Sequence, residues 1–184
     1  MKPTQPGVTD AEGFNAILDD LAHAIRDRRP VEGAPLRLVG IRARGVPIAW
    51  RIAERLKEIG DLDVPVGTVD ITMYRDDFGQ RANWPVLEGT DIPFPVENVE
   101  IILVDDVLFT GRTARAAINA ICDLGRPARI GLAVVVDRDG RELPIQPDYV
   151  GRRLEAGPDE RIEVKVLPID DCEGIVRVPH RHGV

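Results

Sequence analysis

The first regular pattern along the chain is helical. Phe14, Ile17, Leu18, Leu21 and Ile25 recur at intervals of three and four and share one face. Thr9 and Glu12 just ahead of them have the spacing of a capping box, and Arg29-Pro30 marks the expected end. The short apolar run Leu36–Ile41 reads as a strand. Arg42-Ala43-Arg44-Gly45 then turns the chain into a second helix, opened by Pro47, with Ile48, Ile52, Leu56 and Ile59 inward and Gly60 as its stop. A second strand is expected over Val64–Tyr74, followed by a polar, proline-containing loop from Arg75 to Asn98. The run Val99–Val104 is aliphatic apart from Glu100, as in a parallel strand covered on both faces.

A third helix is predicted from Arg112 to Leu124, with Ala116, Ala117, Ala120 and Ile121 inward and Gly125 closing it. Cys122 falls within it and is expected to be buried. Ala128–Val136 reads as a fourth strand and Arg161–Leu167 as an alternating fifth, nearer an edge. Strands and helices thus alternate through the middle of the chain. That order predicts an α/β fold with a central parallel sheet, and a single domain over residues 1–184.

Composition narrows the class. The 184 residues are 43% apolar and 30% charged, values of an ordinary globular protein, and no apolar run reaches the ~18 residues of a membrane span. The first residues lack a signal pattern, which points to the cytoplasm. A formal charge of −7 speaks against wholesale attraction to nucleic acid, yet Arg26, Arg28 and Arg29, with Arg152 and Arg153, could form a local basic face. Cys122 and Cys172 have no metal-type spacing. His180 and His182 lie in a polar tail.

The chemistry concentrates where the third strand ends. Asp105 and Asp106 are adjacent carboxylates against an apolar run, costly to keep there unless something binds them. Thr110-Gly111-Arg112-Thr113 follows at once and opens a helix, whose unsatisfied N–H groups and positive dipole end favour an anion. A phosphate cradle beside two hydroxyl-accepting carboxylates has the shape of a sugar phosphate. A P-loop is excluded, since its first Gly and its Lys are missing. A response-regulator pocket would pair aspartates around Mg²⁺ but has no need of the anion cradle behind them.

On these residues the chain resembles the type I phosphoribosyltransferases: four apolar residues, two acids, a short spacer, then T-G-x-T in "VEIILVDDVLFTGRTARAAI". The segments "LVGIRARGVPIA", "DITMYRDD" and "DRDGRELPIQPDYVG" are similar to those of the pyrimidine-operon attenuators within that family, which are also uracil phosphoribosyltransferases. This implies the type I fold with a flexible hood loop over 75–98, and transfer of 5-phosphoribose from phosphoribosyl pyrophosphate (PRPP) to uracil, with Mg²⁺ carried in by PRPP. It implies Asp105, Asp106 and Arg75 as catalytic residues. The PRPP site would be Arg42, Ala43, Arg44, Asp105, Asp106, Val107, Leu108, Phe109, Thr110, Gly111, Arg112 and Thr113. Arg138 and Val150 would take uracil. Ala43 stands where the family usually has Thr.

Phe109 stands where purine-using members have an Asp, which favours a pyrimidine. An orotate or purine transferase fits the PRPP loop but not Phe109. The same resemblance implies binding to the pyr mRNA leader in response to UMP or UTP, through Arg26, Arg29 and Arg152, and a homodimer or larger homo-oligomer. Asp19, Asp20 and Asp139 add acids that the attenuators lack there. A salvage enzyme without RNA regulation, or an attenuator with vestigial catalysis, are the alternatives.

Overall fold

The computed structural model describes residues 7–28, 31–72 and 89–179. Helix α1 (Ala11–Asp27) follows a short strand, β1 (Gly7–Thr9). The five apolar residues that predicted α1 are all buried. Its cap differs from the expected capping box. Asp10 is the N-cap, accepting the Gly13 N–H at 3.0 Å. The Thr9 hydroxyl instead lies against the Asp10 carbonyl oxygen.

Five parallel strands form the main sheet: β2 (Leu36–Ile41), β3 (Val66–Val69), β4 (Glu100–Leu108), β5 (Arg129–Arg138) and β6 (Tyr149–Leu154), in the order β3-β2-β4-β5-β6. Helix α2 (Gly45–Gly60) links β2 to β3, and α3 (Arg112–Leu124) links β4 to β5. One apolar core joins α1 and α2 to Leu38, Ile102, Val104, Ala133 and Val135. A second joins α3 to Val39, Ile101, Leu103, Leu132 and Val134. Alternate residues of the same strands thus feed opposite layers, as a sheet covered on both faces requires.

Several boundaries depart from the sequence reading. The expected strand Val64–Tyr74 is regular only over Val66–Val69. Residues 73–88, which include Arg75 and most of the expected hood, lie outside the described residues, as do Arg29, His180 and His182. Past them, Asp91 makes an antiparallel bridge with Thr68 inside the stretch expected to be loop. The Arg161–Leu167 run does not join the main sheet. It is β7 (Glu160–Lys165), at one edge of a separate antiparallel sheet, β1-β8-β7, with β8 (Gly174–Pro179) between it and β1. The fifth parallel strand is β6, whose "YVGRRL" mixes charge with a glycine and gives little strand signal. Cys122 is exposed, not buried: it lies one residue, about 100° of turn, past the inward-facing Ile121.

The two crossovers leave the sheet in opposite directions. From β2 the chain passes through α2 to β3 on one side; from β4 it passes through α3 to β5 on the other. The crevice between the carboxyl ends of β2 and β4 is therefore the switch point at which open α/β sheets bind ligands. Two glycines let the chain turn there. A Cβ on Gly40 would stand 2.5 Å from the Val46 Cα, and one on Gly45 would stand 2.2 Å from the Val104 carbonyl oxygen. Gly45→Ala tests this packing, because helix propensity and steric contact predict opposite signs. Propensity alone would add up to ~1 kcal/mol, whereas a forced backbone shift removes about 1–3 kcal/mol. We expect the loss, measured by urea unfolding.

Candidate active site at the sheet switch point

Asp105 and Asp106 lie inside β4, not after it as the sequence reading placed them. Pairing between β2 and β4 ends at Gly40–Val104, while pairing with β5 continues to Leu108–Asp137. The last residues of β4 therefore have one edge free, facing the space that β2 vacates. Each carboxylate accepts the amide that follows it in the chain. Asp105 Oδ1 accepts the Asp106 N–H at 2.9 Å, and Asp106 Oδ1 accepts the Val107 N–H at 2.8 Å. The face alternation changes phase across this stretch. Val104 and Val107 both pack with the α1/α2 core, whereas Leu103 and Leu108 pack with the α3 core.

Asp105 is only 7% exposed. Burial, and then the neighbouring Asp106 charge, push its carboxyl well above the usual range. Burial also raises Asp106, against the pull of its hydrogen bonds and of the Arg44 charge. Both carboxyls of the pair therefore hold a proton more readily than a solvated aspartate does.

Behind the acids, Gly111 adopts φ +92° and serves as N-cap of α3 with no side-chain cap and no acid in the first turn. Thr110 Oγ1 accepts the Arg112 N–H at 3.3 Å, and the Gly111 carbonyl takes Arg115 N–H. Among the described residues, the amides of Gly111, Thr113 and Ala114 have no intramolecular acceptor. Anion-binding capacity is left open at this turn. The segment after β5 braces it, since the Glu142 and Leu143 N–H groups both donate to the Thr110 carbonyl at 3.0 Å.

The Arg42–Gly45 loop completes the mouth, with a cis peptide between Arg42 and Ala43. Arg42 and Ala43 form one wall of a cleft of about 680 Å³ that runs between Trp50, Thr68 and Ile169. Gly45 brings the loop against the Val104–Asp105 backbone. The Arg44 side chain has a partner that sequence reasoning missed. It is a bidentate pair with Asp170.

The remaining assigned residues divide. Phe109 is 40% exposed, its ring covered by the Arg138 guanidinium at 4.2 Å and edged by Gly140, where a Cβ would come within 2.4 Å. Val150 pairs with Val134, which pairs with Asp105, so it stands level with the acids two strands away. Arg26 and Arg152 lie apart from this mouth, Arg26 bonded to Asp27 and Arg152 3.5 Å from Asp20.

The sheet carries paired acids and an open helix N-terminus at its switch point, and the chain belongs to the phosphoribosyltransferase family. The model of the phosphoribosyl transferase domain matches residues 7–170. Within that class its similar relatives share one name. The "Bifunctional protein PyrR" of Roseiflexus sp. (strain RS-1) is 49% identical over 163 residues, 89% of this chain and 88% of that protein. That of Deinococcus deserti is 43% identical over 176 residues, 95% of each. Among solved structures, a hypoxanthine phosphoribosyltransferase from Trypanosoma cruzi superposes with a TM-score of 0.70 at 19% identity over 92% of each chain, a likeness of fold. Among the described residues no helix is long and apolar enough to cross a membrane.

The pH dependence of stability tests the acid pair. A carboxyl that is easier to protonate in the folded chain than in the unfolded one contributes stability below its unfolded value, near 3.8, and that stability is lost as the pH rises through the folded value. Asp105→Asn keeps an acceptor for the Asp106 N–H and removes the titration. We expect it to melt about 2–4 °C above the wild type at pH 8, ~1 kcal/mol, with the difference closing towards pH 4, followed by calorimetry.

Proposed function

We propose that this protein transfers 5-phosphoribose from PRPP to N1 of uracil, giving UMP and pyrophosphate. The observation that carries the reading is the junction of three binding chemistries at one switch point: paired acids with Asp105 buried, an open helix N-terminus and a two-arginine loop. The Thr110–Thr113 turn, with Val107, Leu108 and Phe109 leading into it, would hold the 5-phosphate, and Asp105 and Asp106 the ribose hydroxyls. Arg42 and Arg44 would bind the leaving pyrophosphate. The bond from ribose C1 to the pyrophosphate oxygen breaks with its electron pair going to that oxygen, the uracil N1–C1 bond forms, and the N1 proton passes to water. Charge develops on the leaving group, so fixed donors at the Arg42–Gly45 loop lower the barrier.

The carboxylates also fit a divalent ion. Two adjacent hard-oxygen donors, with no three-residue metal cluster among the described residues, match an ion that keeps most of its ligands from substrate phosphates. Mg²⁺ carried by PRPP would neutralise pyrophosphate charge there. Phe109 beside Arg138 supports a pyrimidine, because it offers no acid to a purine ring nitrogen. Arg138 and Val150 would contact the base, and Arg75 would close on the pyrophosphate.

A second activity, UMP- or UTP-dependent binding to the pyr mRNA leader in the cytoplasm by a homo-oligomer, is favoured by the word "bifunctional" in the relatives' name. Arg26, Arg29 and Arg152 are the proposed contacts. The added acids Asp19 and Asp20 have arginine partners, Arg55 at 2.5 Å and Arg152 at 3.5 Å, so neither presents a bare charge.

Radiolabelled uracil, orotate and hypoxanthine, each with PRPP and Mg²⁺, test the first activity. Uracil should be the preferred acceptor, and Asp106→Ala should lower kcat/KM at least about a hundredfold; preference for another base overturns the assignment. Titration with leader RNA tests the second. Binding should tighten with UMP, weaken steeply with salt and fall in Arg152→Ala.

A further inference from the structure

Arg44 is fixed from outside the main sheet. Its Nε and one Nη donate to the two Asp170 oxygens at 2.9 Å each, across 126 positions of sequence. Asp170 lies in the connection between β7 and β8 with its side chain 11% exposed. It is held in turn, since its Oδ2 accepts the Val166 N–H at 3.0 Å and the Lys165 ammonium stands 3.4 Å from Oδ1. Lys165 and Arg161 both pair with Glu163. Arg44, Lys165 and Arg161 thus meet Asp170 and Glu163 in one ion-pair network beside the mouth.

A guanidinium presents five N–H donors in one plane, and Asp170 takes one from Nε and one from Nη. Three remain, on a plane whose rotation the bidentate pair has removed. The same guanidinium is close enough to Asp106 for its charge to oppose the burial that raises that carboxyl.

We infer that Asp170 is a positioning residue, which holds the Arg44 fork so that its remaining donors receive a diphosphate bound at the Arg42–Gly45 loop. This rests on the functional reading above and adds a residue to it. Without Asp170, Arg44 would have to order itself as the ligand arrives, and the ligand would bind more weakly. The effect is confined to the diphosphate end, because uracil does not meet Arg44 in that reading.

The test combines calorimetric titration of pyrophosphate and of PRPP, both with Mg²⁺, and steady-state kinetics on the full chain. Asp170→Asn should weaken pyrophosphate and raise the KM for PRPP by about tenfold, leave the KM for uracil within about twofold, and cost less than about twofold when placed in an Arg44→Ala background. Asp170→Glu, which retains a two-oxygen acceptor, should recover part of the loss. Should Asp170→Asn fail to fold by circular dichroism, Arg44→Lys takes its place, since it keeps the charge and loses the fork; the same tenfold is expected. Equal losses with and without Arg44, parallel rises in both KM values, or unchanged binding would overturn the inference. A wild type that binds neither pyrophosphate nor PRPP would overturn the functional reading itself, whereas a wild type that binds them alongside an unchanged variant sinks the role of Asp170 alone.

Discussion

The structure turns on keeping two adjacent carboxylates in the wall of a closely packed sheet. Asp105 is almost fully buried and Asp106 follows it directly, so like charges meet where water is scarce. The fold tolerates this because β2 leaves the sheet at that level and frees one edge of β4, while each carboxylate accepts the amide that follows it. What remains unpaid is the repulsion between the pair, a local instability that a bound polyol or cation would relieve.

Everything around the acids is arranged by close backbone approach. Gly45 presses on the Val104 carbonyl, and the left-handed Gly111 swings the chain into α3 with its first amides open. The segment after β5 closes over the Thr110 carbonyl, and Arg138 at the end of β5 covers Phe109. The main sheet thereby contributes to the mouth through the loops that follow β2, β4 and β5. The small antiparallel sheet contributes through Asp170, which gives its strands a connection to the site as well as to the core.

The charge pattern is more balanced than the sequence implies. A net −7 with clustered arginines leaves open whether a basic face exists. In the fold, Arg28 pairs with Asp148, Arg55 with Asp19 and Arg152 with Asp20. Positive potential on the α1 side is therefore partly cancelled within the chain. Any polyanion bound there would have to displace or outnumber these local pairs.

Local rules were enough for much of this molecule. The 3.6-residue spacing gave α1, α2 and α3, and the aliphatic run before Asp105 gave a strand covered on both sides. The turn Thr110–Thr113 announced the start of α3, where a helix N-terminus carries open amides and the positive end of the dipole. What escaped was non-local. Strand β6 has no apolar alternation of its own and becomes a strand only through the ladder β5 offers it. The β7 run has a clear strand pattern, but the pattern names no neighbour, and its partner β8 lies beyond a turn. Asp170 reads as one more acid in a polar stretch until folding brings Arg44 to it. Periodicity and capping depend on residues within a turn or two of one another, so the sequence determined the helices and the turn that opens α3. Sheet membership and the pairing of Arg44 with Asp170 join positions far apart in the chain, and only the tertiary structure decided them.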